Sequence, residues 1–187
     1  MRIGFLTLLA GFVLVGGLQA ANPVVIMETS EGTVTIELFE KQAPITVKNF
    51  LKYTEDKFYD GTIFHRVIDK FMIQGGGFKP NLSQKKTRAA IKNESTNGLS
   101  NEKYTLAMAR TSVPDSATSQ FYINVANNTF LDKKNARDSV GYCVFGKVID
   151  GKDVVDKIAK VKTETKSGYQ NVPSDTVTIK SVRLKKK

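Results

Sequence analysis

Short runs of alternating polar and apolar residues recur from Val24 to Arg183, and only two stretches, far apart, carry helical spacing. Val24 to Thr29 reads as a strand, Ser30-Glu31-Gly32 as a turn, and Thr33 to Phe39 as the returning arm of a hairpin. Further strands are expected over Thr62 to Ile68, Met72 to Gly75, Tyr104 to Met108, Gln120 to Val125, Tyr142 to Val148 and Thr176 to Arg183. Pro44 can open a helix without losing a needed N–H, and Val47, Phe50, Leu51 and Thr54 follow on one face. Asp150 to Lys160 predicts a second helix, with Val154, Val155 and Ile158 toward an apolar surface. Asn81 to Ser100 is polar and rich in turn residues, which predicts a long surface loop. About eight short strands with two separated helices favour an antiparallel barrel or sandwich over an alternating parallel sheet.

The first twenty residues follow a different logic. Arg2 precedes an uncharged, mostly apolar run from Ile3 to Leu18, and Leu18-Gln19-Ala20 offers a small residue for cleavage. That order predicts a secretory signal over residues 1–20 and a mature domain over 21–187, with no stable membrane insertion once the signal is gone. The run is short for a span and broken by Gly11, Gly16 and Gly17; an uncleaved anchor is the competing reading. Cys143 is the single cysteine, so no intrachain disulfide can form and burial alone must hold the domain. Its setting, Tyr142-Cys143-Val144-Phe145, suits a buried core thiol. The net charge of +10 comes from scattered basic residues, with small clusters at Lys85-Lys86-Arg88, Lys133-Lys134-Arg137 and Lys185-Lys186-Lys187. No nucleic-acid motif accompanies them, so a solvated basic surface is expected and no specific nucleic acid partner.

Several chemistries are excluded or disfavoured. With one histidine, His65, no multi-histidine metal site can form. Strand alternation sets His65 beside Ile63 and Val67, the company of a hydrogen-bonded structural histidine. Gly75-Gly76-Gly77 lacks the Gly-Lys-Ser/Thr that completes a phosphate loop, so a tight bend or close backbone approach is expected there. Two strands stand out instead. Gln120 and Tyr122 share one face, opposite Phe121 and Ile123; Met72 and Gln74 likewise share a face. Each face offers an amide beside a large apolar group, which fits the floor of a groove or an ordinary barrel exterior.

The segments Phe64-His65-Arg66-Val67-Ile68, Phe71-Met72-Ile73-Gln74-Gly75-Gly76, Ser119-Gln120-Phe121-Tyr122-Ile123 and Val144-Phe145-Gly146-Lys147-Val148 together resemble the cyclophilin signature in content, order and spacing. The resemblance runs from about Val24 to Leu184. Met108-Ala109-Arg110-Thr111, leading to Asp115-Ser116-Ala117-Thr118-Ser119, looks most like the bacterial exported branch. It implies a mainly β fold, an eight-stranded antiparallel barrel capped by two helices, with an active groove on the outer surface. The implied activity is peptidyl-prolyl cis-trans isomerisation of exported, proline-containing chains in the periplasm, by a monomer needing no cofactor or metal.

Carried over position by position, Arg66 matches the catalytic arginine. Phe71, Met72, Tyr122 and Leu131 match the walls of the proline pocket. Gln74 and Gln120 match the amides that orient the substrate backbone, and Ala109 and Arg110 match a rim whose main chain receives the peptide as an added strand. Three positions depart from the better-known eukaryotic pattern: Arg110 stands where asparagine is usual, Phe130 replaces a tryptophan and Tyr142 a pocket histidine. Phenylalanine has no indole N–H, so weak cyclosporin inhibition with retained isomerase activity is expected. Two other readings are a peptide-binding chaperone module with incidental or no isomerase activity and a binder of anionic polymers.

Overall fold

The computed structural model describes residues 21–186, so the signal expected at 1–20 lies outside the described residues. β1 (Val24–Thr29) and β2 (Thr33–Leu38) form the expected hairpin. The Thr29 hydroxyl closes its turn, accepting from the N–H groups of Glu31 and Gly32 and donating to the Gly32 carbonyl. Val25, Met27, Val34, Ile36 and Leu38 alternate into the core. α1 (Pro44–Glu55) opens with its proline in the first turn and buries Val47, Phe50, Tyr53 and Thr54, whereas Leu51 is only half-buried. Ala43 cannot cap this helix. The carboxylate of Glu94 does so from the 81–100 loop, accepting from Ile45 N (3.1 Å), Thr46 N (2.8 Å) and Thr46 Oγ1 (2.7 Å). A polar loop is thereby fastened to the body of the protein.

β3 (Thr62–Ile63), β4 (Arg66–Ile68), β5 (Met72–Gly75), β6 (Thr105–Met108), β7 (Phe121–Asn124) and β8 (Val144–Asp150) follow, then α2 (Lys152–Ala159), β9 (Thr163–Lys166), β10 (Tyr169–Pro173) and β11 (Thr178–Leu184). One curled antiparallel sheet runs in the order β3-β11-β1-β2-β8-β6-β7-β5-β4. Its two edge strands, β3 and β4, are separated in the chain only by Phe64 and His65. Two residues span less than about 8 Å, so the sheet must curl until its edges meet at one corner. Counted as one kinked strand, β3 and β4 reduce the nine strands to the eight expected.

The kink corrects one expectation. Phe64 and Val67 both enter the main core, so alternation slips between them and His65 does not share a face with Val67. His65 packs instead against Phe78, ring centroids 4.4 Å apart and planes tilted by 42°, beside the small cluster of Ile63, Phe78, Leu82 and Val172. The β9–β10 hairpin supplies Val172 to that cluster, and its turn needs positive φ at Ser167 (50°) and Gly168 (82°). Its strands, Thr-Glu-Thr-Lys and Tyr-Gln-Asn-Val-Pro, carry too little apolar alternation to announce themselves. Inside the barrel Phe50 meets Tyr59, Phe121 and Phe145 at centroid distances of 5.0–5.6 Å, and α2 covers one side with Val155 and Ile158. Among the described residues no helix is long and apolar enough to cross a membrane.

Candidate active site

Strand register assembles the site. Arg66 on β4 pairs with Gln74 on β5, Gln74 with Tyr122 on β7, Tyr122 with Ala107 on β6, and Ala107 with Val144 on β8. Side chains directly opposite one another across a ladder lie on the same face, so these five form a row across the outside of the sheet. Phe121 and Ile123, one step out of phase, lie in the core. Met72, Ala107, Tyr122 and Val144 pack together as a second apolar cluster on that outer face, with Phe71, Ala109, Leu131 and Tyr142 against them. The amide-and-apolar face expected from the strands is therefore a groove floor.

Within it a cavity of about 120 Å³ is lined by Arg66, Phe71, Met72, Gln74, Ala109, Arg110, Tyr122, Leu131 and Tyr142. All nine belong to the set drawn from the sequence. That volume equals about four waters at ~30 Å³ each, room for a pyrrolidine ring. Gln120 and Phe130 stand just outside it. Gln120 acts from behind: its Oε1 accepts from Gln74 Nε2 at 3.0 Å, and Gln74 Oε1 accepts from Arg66 Nη1 at 3.3 Å. With Gln120 accepting, the Gln74 amide has one orientation left, and its oxygen faces the guanidinium. Gly77 makes this possible, because a Cβ there would lie 2.5 Å from Gln120 Cγ. Gly76 adopts φ +80° under the Phe121 ring. These glycines serve a bend and a close approach, as expected.

Arg110 is tied down along its length. Its Nε donates to Gly141 O at 3.1 Å, its Nη1 to Thr111 O at 2.9 Å, and its Nη2 is paired with Asp138. The guanidinium lies 4.4 Å from the centroid of the Tyr142 ring, and the side chain is only 3% exposed. The Arg110 guanidinium, with the main-chain N–H groups of Val140 and Gly141, holds the Asp138 carboxyl down to about 2. Tyr142 meets Tyr122 edge-on at 6.0 Å. Arg110 thus braces one wall of the cavity with its side chain. Phe130 is 56% exposed and stacks on Phe71 at 5.9 Å.

A buried polar network behind the cavity was not legible in the sequence. Tyr122 Oη donates to Asn101 Oδ1 at 2.8 Å, and Asn101 donates from its main chain (2.7 Å) and its amide (2.9 Å) to Asp132. Asn128 Nδ2 donates to the Phe71 carbonyl and to Asn124 Oδ1, both at 2.7 Å. Burial raises the Tyr122 phenol well above its ordinary value, so it stays a neutral donor. One clue existed: Asn124 ends the otherwise apolar Phe121-Tyr122-Ile123 run, and a buried amide demands partners. Those partners are Asn101, Thr105 on β6 and Asn128 four residues on.

A notch walled by Phe71, Met72, Tyr122 and Leu131, with an arginine and paired amides at its edge, on the outer face of a curled antiparallel sheet, has the form of a binding groove. Comparison with known proteins narrows that class. The family described as cyclophilin type peptidyl-prolyl cis-trans isomerase/CLD matches residues 24–184. A peptidyl-prolyl cis-trans isomerase of Acinetobacter baylyi is 57% identical over 175 residues, covering 94% of this chain and 92% of that protein. Peptidyl-prolyl cis-trans isomerase B of Escherichia coli is 52% identical, covering 86% and 99%. The crystal structure of a Cryptosporidium parvum cyclophilin type isomerase in the presence of the dipeptide Ala-Pro superposes with a TM-score of 0.72 at 26% identity, covering 88% and 99%. The chain belongs to the cyclophilin-type peptidyl-prolyl cis-trans isomerase family.

Proposed function

We propose that this protein accelerates rotation about Xaa-Pro bonds by binding the twisted amide more tightly than the planar one. The observation that carries the reading is the Gln120–Gln74–Arg66 relay, which holds a guanidinium at the edge of a ring-sized cavity walled by Phe71, Met72, Tyr122 and Leu131. Amide resonance sets an uncatalysed barrier of about 18–20 kcal/mol. As the bond twists, the prolyl nitrogen leaves conjugation and regains a lone pair. The Arg66 guanidinium can then donate to that nitrogen, an interaction that the planar amide does not offer. Phe71, Met72, Tyr122 and Leu131 hold the ring while the acyl side turns and shed water that would favour the more dipolar planar form. An acceleration of about 10⁵-fold requires about 7 kcal/mol of differential binding. A charge-assisted hydrogen bond supplies about 1.5–3 kcal/mol, so orientation and desolvation supply the rest.

The experiment is isomerase activity of residues 21–187 on a short Xaa-Pro peptide, beside Arg66→Ala. The variant is expected to lose about 10- to 100-fold in kcat/KM from the missing hydrogen bond alone, with unchanged circular dichroism. Near-normal activity in it would remove Arg66 from the mechanism. Peptide binding without acceleration in the parent would leave a chaperone module instead.

Three finer statements belong to the same proposal. The apolar leader before Ala21 supports export, with the domain acting in the periplasm on chains that fold past slow proline steps. A monomer is the proposed working form, because the cavity's nine lining residues come from one chain and the chemistry asks for no second copy. Cyclosporin is a weak inhibitor, because Phe130 offers an exposed ring and no N–H donor. Inhibition of the purified protein at nanomolar cyclosporin would refute that last point.

A further inference from the structure

The nine residues between Asp132 and Tyr142, Lys-Lys-Asn-Ala-Arg-Asp-Ser-Val-Gly, form a loop beside the proline cavity. It is fastened at both ends. Tyr142 N donates to Leu131 O at 3.0 Å, and Gly141 packs so closely that a Cβ would lie 2.5 Å from Lys133 N. Asn135 Nδ2 donates to Thr129 O at 2.8 Å, and Asp138 accepts from the N–H groups of Val140 (3.0 Å) and Gly141 (3.1 Å) while paired with Arg110. The loop backbone is therefore held in a defined place.

Its charges are unequally matched. Asp138 is neutralised by Arg110. Asp132, at the base, is buried and accepts from Ser100 Oγ and from Asn101 N and Nδ2. Lys133, Lys134 and Arg137 are exposed, and among the described residues none has a carboxylate within ion-pair distance. Arg137 lines an open depression of about 520 Å³ together with Phe130, Leu131 and Tyr142. Leu131 and Tyr142 are also walls of the proline cavity, so the depression continues that cavity outward. Phe130, half-exposed between the two, offers an apolar ledge. Lys133 and Lys134 line a second depression on the loop's other flank, with Leu99 and Ser100.

We infer that this loop is an extension of the substrate groove that selects client segments bearing aspartate or glutamate next to the isomerised proline. A chain leaving the cavity over Phe130 and Leu131 enters the depression lined by Arg137, while one turning to the other flank of the loop meets Lys133 and Lys134; exposed charges act over a Debye length of about 8–10 Å. The inference rests on the isomerase reading and deepens it by naming a substrate preference.

The test measures kcat/KM at low ionic strength for short peptides with one Xaa-Pro bond. They carry Glu, Gln or Lys at the positions after the proline and, in a second set, before it. Wild type is compared with Lys133→Ala/Lys134→Ala/Arg137→Ala and with Lys41→Ala/Lys48→Ala/Lys180→Ala, which removes equal charge from exposed remote sites. Exposed ion pairs contribute about 0.2–1 kcal/mol each, so a Glu-to-Gln ratio of about 3 to 10 is expected in wild type for one of the two sets. That ratio should fall toward one in the loop variant and persist in the remote variant. A wild-type ratio near one in both sets, or an equal fall in both variants, overturns the inference and leaves the isomerase reading standing. Failure of wild type to accelerate even the Gln peptides overturns the reading beneath it.

Discussion

His65 immediately precedes Arg66, and its chemistry is set by burial. It is 6% exposed, packed against Phe78, and its Nδ1 has no hydrogen-bond partner among the described residues. Burial, helped by the neighbouring Arg66 guanidinium, lowers its pKa from 6.5 to about 4. The unfolded chain therefore binds a proton at higher pH than the native one does. Stability supplied by the neutral ring is complete above pH 6.5 and is lost as pH falls toward 4, at up to about 1.4 kcal/mol per pH unit. Denaturant unfolding of wild type and His65→Phe at pH 7 and pH 4.5 checks this: wild type should lose more stability than the variant across that interval. Equal losses would mean that His65 does not titrate as described. That His65 is structural was readable from its apolar neighbours. The unpartnered Nδ1 and the ring's place against Phe78 were not, because the slip between Phe64 and Val67 takes it off the face of Val67.

Among the elements, the turn after β5 decides how well the proposed catalytic groups are aimed. Gly77 lies against Gln120, whose amide sets Gln74, which in turn faces Arg66. In Gly77→Ala the new methyl group would sit 2.5 Å from Gln120 Cγ and 2.9 Å from Cδ, so that side chain must move. The expected result is a loss of about tenfold or more in kcat/KM, the worth of one misplaced hydrogen bond, with a smaller effect on the thermal midpoint than Gly76→Ala. At Gly76 the φ of +80° adds backbone strain, and the Phe121 ring belongs to the core. If the two variants lose activity and stability in parallel, Gly77 serves folding and not aim. The glycine run announced a close approach in the sequence. What it approaches depends on β7, more than forty residues away.

Across the whole molecule, burial and sheet closure do what disulfides do elsewhere. Cys143 is buried against Thr46 near the first turn of α1, and burial pushes its thiol up to about 11. At pH 8 only about one thiol in a thousand would be ionised. A thiol-reactive probe should therefore modify the native protein far more slowly than the unfolded one, and reductant should leave the unfolding midpoint unchanged. Rapid labelling under native conditions would contradict this packing. The same closure brings β11 beside β1 and sets the first and last strands side by side, an arrangement that gathers residues distant in sequence.

Local pattern was enough for the first hairpin, the proline-started helix and the buried thiol, because alternation and turn chemistry act over a few neighbouring residues; it put Met72 with Gln74 and Gln120 with Tyr122 on shared faces but left a groove floor and an ordinary barrel exterior both open. The motifs that carry the family resemblance brought Arg66 with them. The kink between β3 and β4, the β9–β10 hairpin, the asparagine network behind Tyr122 and the bracing of Tyr142 by Arg110 and Asp138 were decided by the fold. Each depends on a partner from another part of the chain, whose distance and direction follow from strand register and sheet curl. A single stretch of sequence carries its own propensity; the position of its partner exists only once the sheet has closed.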